Sequence, residues 1–292
     1  MKIPDDVCVL VADHGVGDHY LVAAFAEAIA ARHGVRVWMA GRADLAFLPR
    51  VFPRVERYLE WPAGGNRAGL KEKEIKGGVL FDAHFPGLEL MRAVGYRDFH
   101  FLDAYRCRFG LSAEAPLSRA VLPTAEDVEA VGAQLQANGI TPGRFVLLGV
   151  DARSTPLGGL DAEFWRGVAT KLSEVGLQGV FNVPLQAELP TGVAGVSAPL
   201  VQLRAIAMAA AGVCTVRSGL SELFCDLPRM RGVVFPDVPY WAGPLWRGTG
   251  FGAYGLAEPV REWVVGPAER ERAAEEIAAY FAELATSVAK VA

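Results

Sequence analysis

Two short runs in this chain put charged and hydroxyl side chains beside glycine where an apolar run gives way to a helical pattern. The first is Gly15-Val16-Gly17-Asp18, flanked by His14 and His19; the second is Arg217-Ser218-Gly219-Leu220, followed by Ser221 and Glu222. Glycine lets the backbone approach a ligand closely, and the first amides of the helix that follows have no intrahelical acceptor. Such a turn attracts anions, and Arg217 adds a permanent, fork-shaped positive charge. The second run therefore suits the diphosphate of a nucleotide-activated substrate, with Ser218, Gly219 and Leu220 forming the turn. Glu222 is placed for a ribose or sugar hydroxyl, or simply as a carboxylate favoured by the helix dipole. Asp151-Ala152-Arg153-Ser154 follows another apolar run. Asp151, Arg153 and Ser154 there can meet a phosphate or sugar hydroxyl, although a solvated loop has the same composition.

In the first run, Asp18 is the carboxylate able to do chemistry. At the carboxyl end of a strand it can take a proton from a hydroxyl as that oxygen attacks an electrophilic carbon. Asp is also a favoured helix N-cap, and position alone serves both readings equally. His14, Gly15, Gly17 and His19 surround it, the histidines either orienting a substrate or incidental beside a turn. The spacing Gly15-x-Gly17-x-x-Tyr20 departs from the dinucleotide fingerprint, whose third glycine is replaced by a bulky tyrosine. No Gly-x-x-x-x-Gly-Lys-Ser/Thr loop and no Gly-x-Ser-x-Gly elbow occurs, which removes the usual signals for P-loop phosphoryl transfer and for an α/β-hydrolase. Nor is there an Asp-x-Asp pair, in agreement with a site that uses no metal.

Composition narrows the class. The chain has 292 residues, 52% hydrophobic and 21% charged, with a net charge of −4. That is an ordinary folded composition long enough for two domains, and it offers no broad basic surface for nucleic acid. Asp5 and Asp6 precede only a short apolar run, which does not read as a signal peptide, and no run approaches the ~20 apolar residues of a membrane span. Cys8, Cys107, Cys214 and Cys225 show no Cys-x-x-Cys spacing, so a reduced, cytoplasmic protein without a zinc site or other cofactor is expected.

The elements that must position these residues follow from periodicity. Strands are expected at Val7–Ala12, Val35–Met39, Val79–Phe81 and Phe99–Leu102, with a helix from His19 to His33 capped by Asp18. Gly41 to Pro62 holds a short helix and a strand, Gly64–Lys76 reads as a loop, and Pro86–Val94 as a helix. Pro116 and Pro123 interrupt the pattern, and Thr124-Ala-Glu-Asp127 then resembles a capping box. Strands follow at Phe145–Val150, Gly179–Val183, Val213–Val216 and, last, Val233–Phe235. Helices alternate with them at Glu163–Val175 and Leu200–Ala211. The Gly- and aromatic-rich stretch Asp237–Leu256 suits stacking on a base or sugar, or packing. Pro267 opens a final amphipathic helix. The alternation indicates an α/β protein with parallel sheets: two Rossmann-like domains facing a cleft, residues 1–118 and 119–265, and a helix at 266–292.

These residues together resemble the heptosyltransferase-like glycosyltransferases of the GT-B fold. The resemblance rests on Val11-Ala-Asp-His-Gly-Val-Gly-Asp18, His100-Phe-Leu-Asp-Ala-Tyr-Arg-Cys-Arg-Phe-Gly-Leu111, Leu148-Gly-Val-Asp-Ala-Arg153 and Ser218-Gly-Leu-Ser221, in order from about residue 7 to 236. It implies metal-independent, inverting transfer of a sugar from a nucleotide-sugar donor, in bacterial surface-glycan synthesis. Asp18 would match the acceptor-activating carboxylate, and Ser218, Gly219 and Leu220 the donor-phosphate turn. The last helix would pack back on the N-terminal domain. The acceptor would be a glycan, a lipid-linked or a small molecule, with peripheral membrane contact compatible. Arg217 stands where the family usually has an acidic residue and Glu222 where it has histidine, and a Lys-Arg-Trp-Pro-like element is absent. ADP-, GDP-, UDP- and dTDP-sugars therefore stay open. So do a nucleotide-sugar epimerase of the same fold and a non-catalytic nucleotide- or glycan-binding protein.

Overall fold

The computed structural model describes residues 3–12, 15–60, 79–83, 100–152, 156–183, 194–240, 243–256 and 259–289. The expected loop Gly64–Lys76, the expected helix Pro86–Val94, and His14, Arg153 and Ser154 lie outside the described residues. The chain forms two compact units, Met1–Leu122 and Pro123–Ala292.

In the first unit, β1 (Val7–Val11) is buried along its whole length, as a strand covered on both faces must be. It pairs in parallel with β2 (Arg36–Gly41) on one side and β4 (Val79–Asp82) on the other, and β3 (Val55–Glu60) extends the sheet beyond β2. The order is β3-β2-β1-β4. Val7, Val9 and Val11 share one face with Trp38 and Ala40, over Ile3.

The single helix expected after β1 is two: α1 (Val16–Ala24) and α2 (Ala26–His33), with Phe25 between. α1 starts at Val16, earlier than expected; from Gly17 to Ala24 nearly all of it is buried and it shows no polar face for a pattern to read. Gly34, at φ 65°, ends α2 in the left-handed conformation that glycine adopts without strain. After the short α3 (Leu48–Val51), the sequence also misleads at Phe99–Leu102. Phe101–Arg108 is a helix, α4, not a strand. Its start is fixed by His100, whose Nδ1 accepts from the Leu102 amide while Asp103 Oδ2 accepts from the His100 amide, each at 3.2 Å. Leu102, Tyr105 and Phe109 then recur at helical spacing on its buried side.

The second unit opens with α5 (Ala125–Ala137), capped by Thr124 and Asp127. Its six-stranded sheet has the order β12-β9-β8-β5-β6-β7. In sequence these are β5 (Phe145–Gly149), β6 (Gln178–Asn182), β7 (Gly195–Val196), β8 (Gly212–Val216), β9 (Met230–Pro236) and β12 (Arg261–Val265), all parallel. A two-strand ladder, β10 (Pro239–Tyr240) with β11 (Gly243–Pro244), stands apart. The helices are α6 (Ala162–Glu174), α7 (Leu200–Ala209), α8 (Gly219–Phe224), α9 (Leu245–Thr249) and α10 (Arg270–Ala289). β9 is therefore not the last strand. β12 was missed because it is a short edge strand whose Arg261, Glu262 and Val264 face solvent, leaving only Trp263 and Val265 buried.

The last helix shares a core with α6. Ala273, Ala274, Ile277, Ala278 and Phe281 join Trp165, Val168 and Leu172 of α6 in one core, and Arg270 Nη2 donates to Asp161 Oδ1 at 2.6 Å. The buried stripe of α10 is thus used within the unit 123–292. The Phe281 ring rests on the bare backbone of Gly212, where an added Cβ would lie 2.5 Å from Cε1. Phe281→Ala should destabilise the second unit by about 3–5 kcal/mol. Urea unfolding followed by tryptophan fluorescence measures it, and a cost near zero would detach α10 from this core.

Candidate functional site

Strand order defines where each sheet can receive a ligand. In the first unit the chain moves from β1 to β2 and β3 on one side, then returns to β4 on the other; in the second it moves from β5 to β6 and β7, then returns to β8. At such a reversal the connections diverge to opposite sides, leaving a crevice outside the strand carboxyl ends. The residues after β1 and those after β5 and β8 are the ones the sequence singles out. Asp18 belongs to the first set; Asp151, Ser218, Gly219 and Leu220 belong to the second.

At the first crevice Gly15, not Asp18, is the N-cap of α1, and Asp18 is the third helical residue. Its Oδ2 accepts from the Gly15 amide at 3.2 Å, so one oxygen does serve the helix start. Its Oδ1 accepts from the Tyr105 hydroxyl of α4 at 2.7 Å. The carboxylate is half-buried. Gly17 is buried within the same first turn.

His19 does not face a substrate. It is fully buried beneath α1, where Nδ1 donates to Gly15 O at 3.0 Å and Nε2 has no hydrogen-bond partner. The ring takes the space that a side chain on Gly41 would need. A Cβ there would lie 2.3 Å from His19 Nε2, 2.5 Å from Ala12 O and 2.7 Å from the Tyr58 hydroxyl. Burial holds the imidazole below its usual pKa, although the bond to Gly15 O and nearby Asp18 work the other way. His19 is thus a neutral wedge between α1 and the end of β2. Sequence spacing hid this because the partner position carries no side chain.

At the second crevice, Arg217 is not a fork presented to phosphate. It is buried, and its donors are committed to protein acceptors: Nε to Thr249 O at 3.0 Å, and Nη1 to Ser218 O at 3.2 Å and to Glu222 Oε2 at 2.9 Å. Nη2 pairs with Glu222 Oε1 and reaches the Tyr254 hydroxyl at 3.4 Å. Tyr254 in turn donates to Glu222 at 3.1 Å, and the guanidinium stacks 5.2 Å from the centre of the Phe251 ring. Glu222, expected at a sugar hydroxyl, is equally occupied. The reason is desolvation: a charge this deep needs an opposite charge and full hydrogen bonding. Thr249, Phe251 and Tyr254 are what sequence reading missed; the aromatic stretch gave the signal, and pairing gave the partner.

The turn itself keeps polar groups in place. Ser221 Oγ donates to Val216 O at 3.1 Å and accepts from the Ser218 amide at 2.9 Å and from Thr215 Oγ1 at 3.2 Å. Ser218 Oγ is buried with no hydrogen-bond partner, as is Asn182 Oδ1 at the end of β6. Gly219 and Leu220 are half-buried and Asp151 is exposed. Among the described residues, no group of three His, Cys, Asp or Glu is arranged to hold a metal ion, and no helix is long and apolar enough to cross a membrane.

No protein-family model matches the sequence, and no curated protein does. Solved structures do. The ADP-heptose LPS heptosyltransferase II of E. coli is 15% identical with a TM-score of 0.63, the match covering 97% of this chain and 99% of that one. A glycosyltransferase family 9 protein from Veillonella parvula is 14% identical with a TM-score of 0.60, covering 95% and 90%. TibC, an iron-containing dodecameric glycosyltransferase of enterotoxigenic E. coli, is 16% identical with a TM-score of 0.54, covering 91% of this chain and 63% of its own. At such identities the likeness speaks for the fold: this chain has the α/β fold of the heptosyltransferase-like glycosyltransferases.

Two outcomes follow from the geometry. Arg217→Ala leaves Glu222 buried without its cation and should lower stability by about 3–5 kcal/mol, while Arg217→Met with Glu222→Leu should recover most of it. Chemical denaturation of the three proteins checks this; an unaffected Arg217→Ala would free the guanidinium for a ligand. For His19, the unfolded chain takes up a proton first as pH falls through about 6.5, so stability is complete above that value and declines below it. His19→Gln should therefore lose less Tm than the parent between pH 7 and 5, and parallel losses would contradict a buried neutral ring.

Proposed function

We propose that this chain is a glycosyltransferase that moves a sugar from a nucleotide-sugar donor to an acceptor hydroxyl, with inversion and without a metal. The observation that carries the proposal is the Asp18 carboxylate, held through both oxygens at the sheet reversal of the first unit, in a fold shared with sugar transferases. In this reading residues 1–118 bind the acceptor and 119–265 the donor.

The chemistry is a single displacement. Asp18 takes the proton of the acceptor hydroxyl as its oxygen bonds to the anomeric carbon from the face opposite the diphosphate. The bond from that carbon to the diphosphate oxygen breaks, and the nucleoside diphosphate leaves with the electron pair. Negative charge grows on that oxygen, and donors already aimed at it lower the barrier. In the second unit those donors are the Ser218 hydroxyl, which has no protein partner, and the backbone at Gly219 and Leu220. Asp151 at the end of β5 accepts from a sugar or ribose hydroxyl, and Arg153 and Ser154 follow it in the chain. Arg217 acts behind the turn: paired with Glu222, it holds the turn in shape. The acceptor is a glycan, a lipid-linked or a small molecule in surface-glycan synthesis, and the compartment the cytoplasm.

A thermal-shift screen with ADP, GDP, UDP and dTDP identifies the donor base, because a ligand that binds the native state raises Tm by mass action. Asp18→Asn should keep that shift and lose transfer by about 100- to 10,000-fold. Near-parental turnover would reduce Asp18 to a helix-start residue, and turnover of the sugar nucleotide without an acceptor would make the protein an epimerase. EDTA should leave the rate unchanged; dependence on magnesium, manganese or iron would overturn the metal-free displacement.

A further inference from the structure

We infer that Tyr105 is the positioning residue for Asp18, a role that rests on the transferase reading above. An aspartate carboxyl turns easily about its last torsion, whose energy profile is broad and roughly two-fold. A base on a helix start therefore presents its lone pairs over a wide arc unless something holds it. Here two donors hold it, one on each oxygen: the Gly15 amide from within the same turn, and the Tyr105 hydroxyl from α4, 87 positions along the chain.

The second donor is itself held rigidly. Tyr105 is completely buried, and its ring lies 6.4 Å from Phe25, 6.0 Å from Phe101 and 5.9 Å from Phe109, centre to centre. Its hydroxyl cannot follow the carboxylate, so the carboxylate conforms to it. The separation of 2.7 Å is that of a hydroxyl donating to a charged oxygen. Each carboxylate oxygen offers about two acceptor sites, so one on each remains for the acceptor hydroxyl. Tyr105 thus acts through Asp18 without touching the reacting atoms, and it makes the aromatic face of α4 a part of the site.

The test compares parent, Tyr105→Phe, Asp18→Asn and the double variant. Steady-state release of nucleoside diphosphate is read against the concentration of ADP-, GDP-, UDP- and dTDP-sugars, with a detergent extract of bacterial envelope lipids as acceptor. Phenylalanine keeps the ring and removes only the hydroxyl, and a melting curve for each variant confirms the fold. The expected result is a kcat lower by about 10- to 100-fold, as for a misplaced reacting group. Donor KM should stay within about twofold, the mark of an interaction that matters in the transition state. In the Asp18→Asn background the same change should cost nothing further. An unchanged kcat, a loss carried by KM, or an equal loss in both backgrounds would overturn the positioning role while the transferase reading stands. If the parent releases nucleoside diphosphate from none of the sugars, the transferase reading itself falls, and the role of Tyr105 with it.

Discussion

The constraint that orders this protein is the burial of β1 and β5 on both faces. From Val7 to Val11 and from Phe145 to Gly149 every residue is buried. An unpaired charge in either strand would lose its hydration at a cost of several kcal/mol. Reactive side chains are therefore displaced to the first residues past the carboxyl ends of these strands and of the equally buried β8, where, after β1 and β8, the helices α1 and α8 also begin. The same crowding decides where side chains are forbidden. At Gly149 an added Cβ would lie 2.7 Å from Thr215 Cγ2, and at Gly41 it would strike the His19 ring. Helix starts, bare glycines and polar turns are one consequence of filling the space beside a covered strand.

The two turns meet this constraint with different chemistry. Asp18 stays half in solvent and is steadied by neutral donors, so its charge remains hydrated and available. Arg217 is taken inside, where attraction to Glu222 must offset the desolvation of both groups, and where further bonds to Thr249 O and Ser218 O complete its coordination. A pair of this kind adds little net stability, yet losing one member is severe. That asymmetry commits the guanidinium to holding the Ser218 turn in shape.

What was legible in the sequence follows from the same physics. The alternation of covered strands and helices, the capping pair Thr124 and Asp127, and the turns after β1 and β8 all rest on local patterns, and they stand in the structure. The elements misread are those settled by contacts distant in sequence. Phe101 and Leu102 belong to an apolar run that suits a strand but are set as a helix start by His100 and Asp103. β12 has too few buried positions to stand out. At the site, Arg217 and Glu222 were visible as residues, whereas their mutual neutralisation depends on Tyr254 and Thr249, 37 and 32 positions away. Tyr105 escaped for the same reason, lying 87 positions from Asp18.

Segment 245–254 takes on an unusual character from the Arg217 staple. Surface connections generally fray independently of the core and tolerate insertions or a proteolytic nick. This one supplies the Thr249 carbonyl, the Phe251 ring and the Tyr254 hydroxyl to a buried charge pair. To peel away, it must strand Arg217 and Glu222 with fewer partners, so it opens only when the strands behind it also loosen. The segment therefore belongs to the cooperative unit of the sheet. An added residue or a cut within it would be felt at the Ser218 turn, where elsewhere on the surface the same change would pass unnoticed.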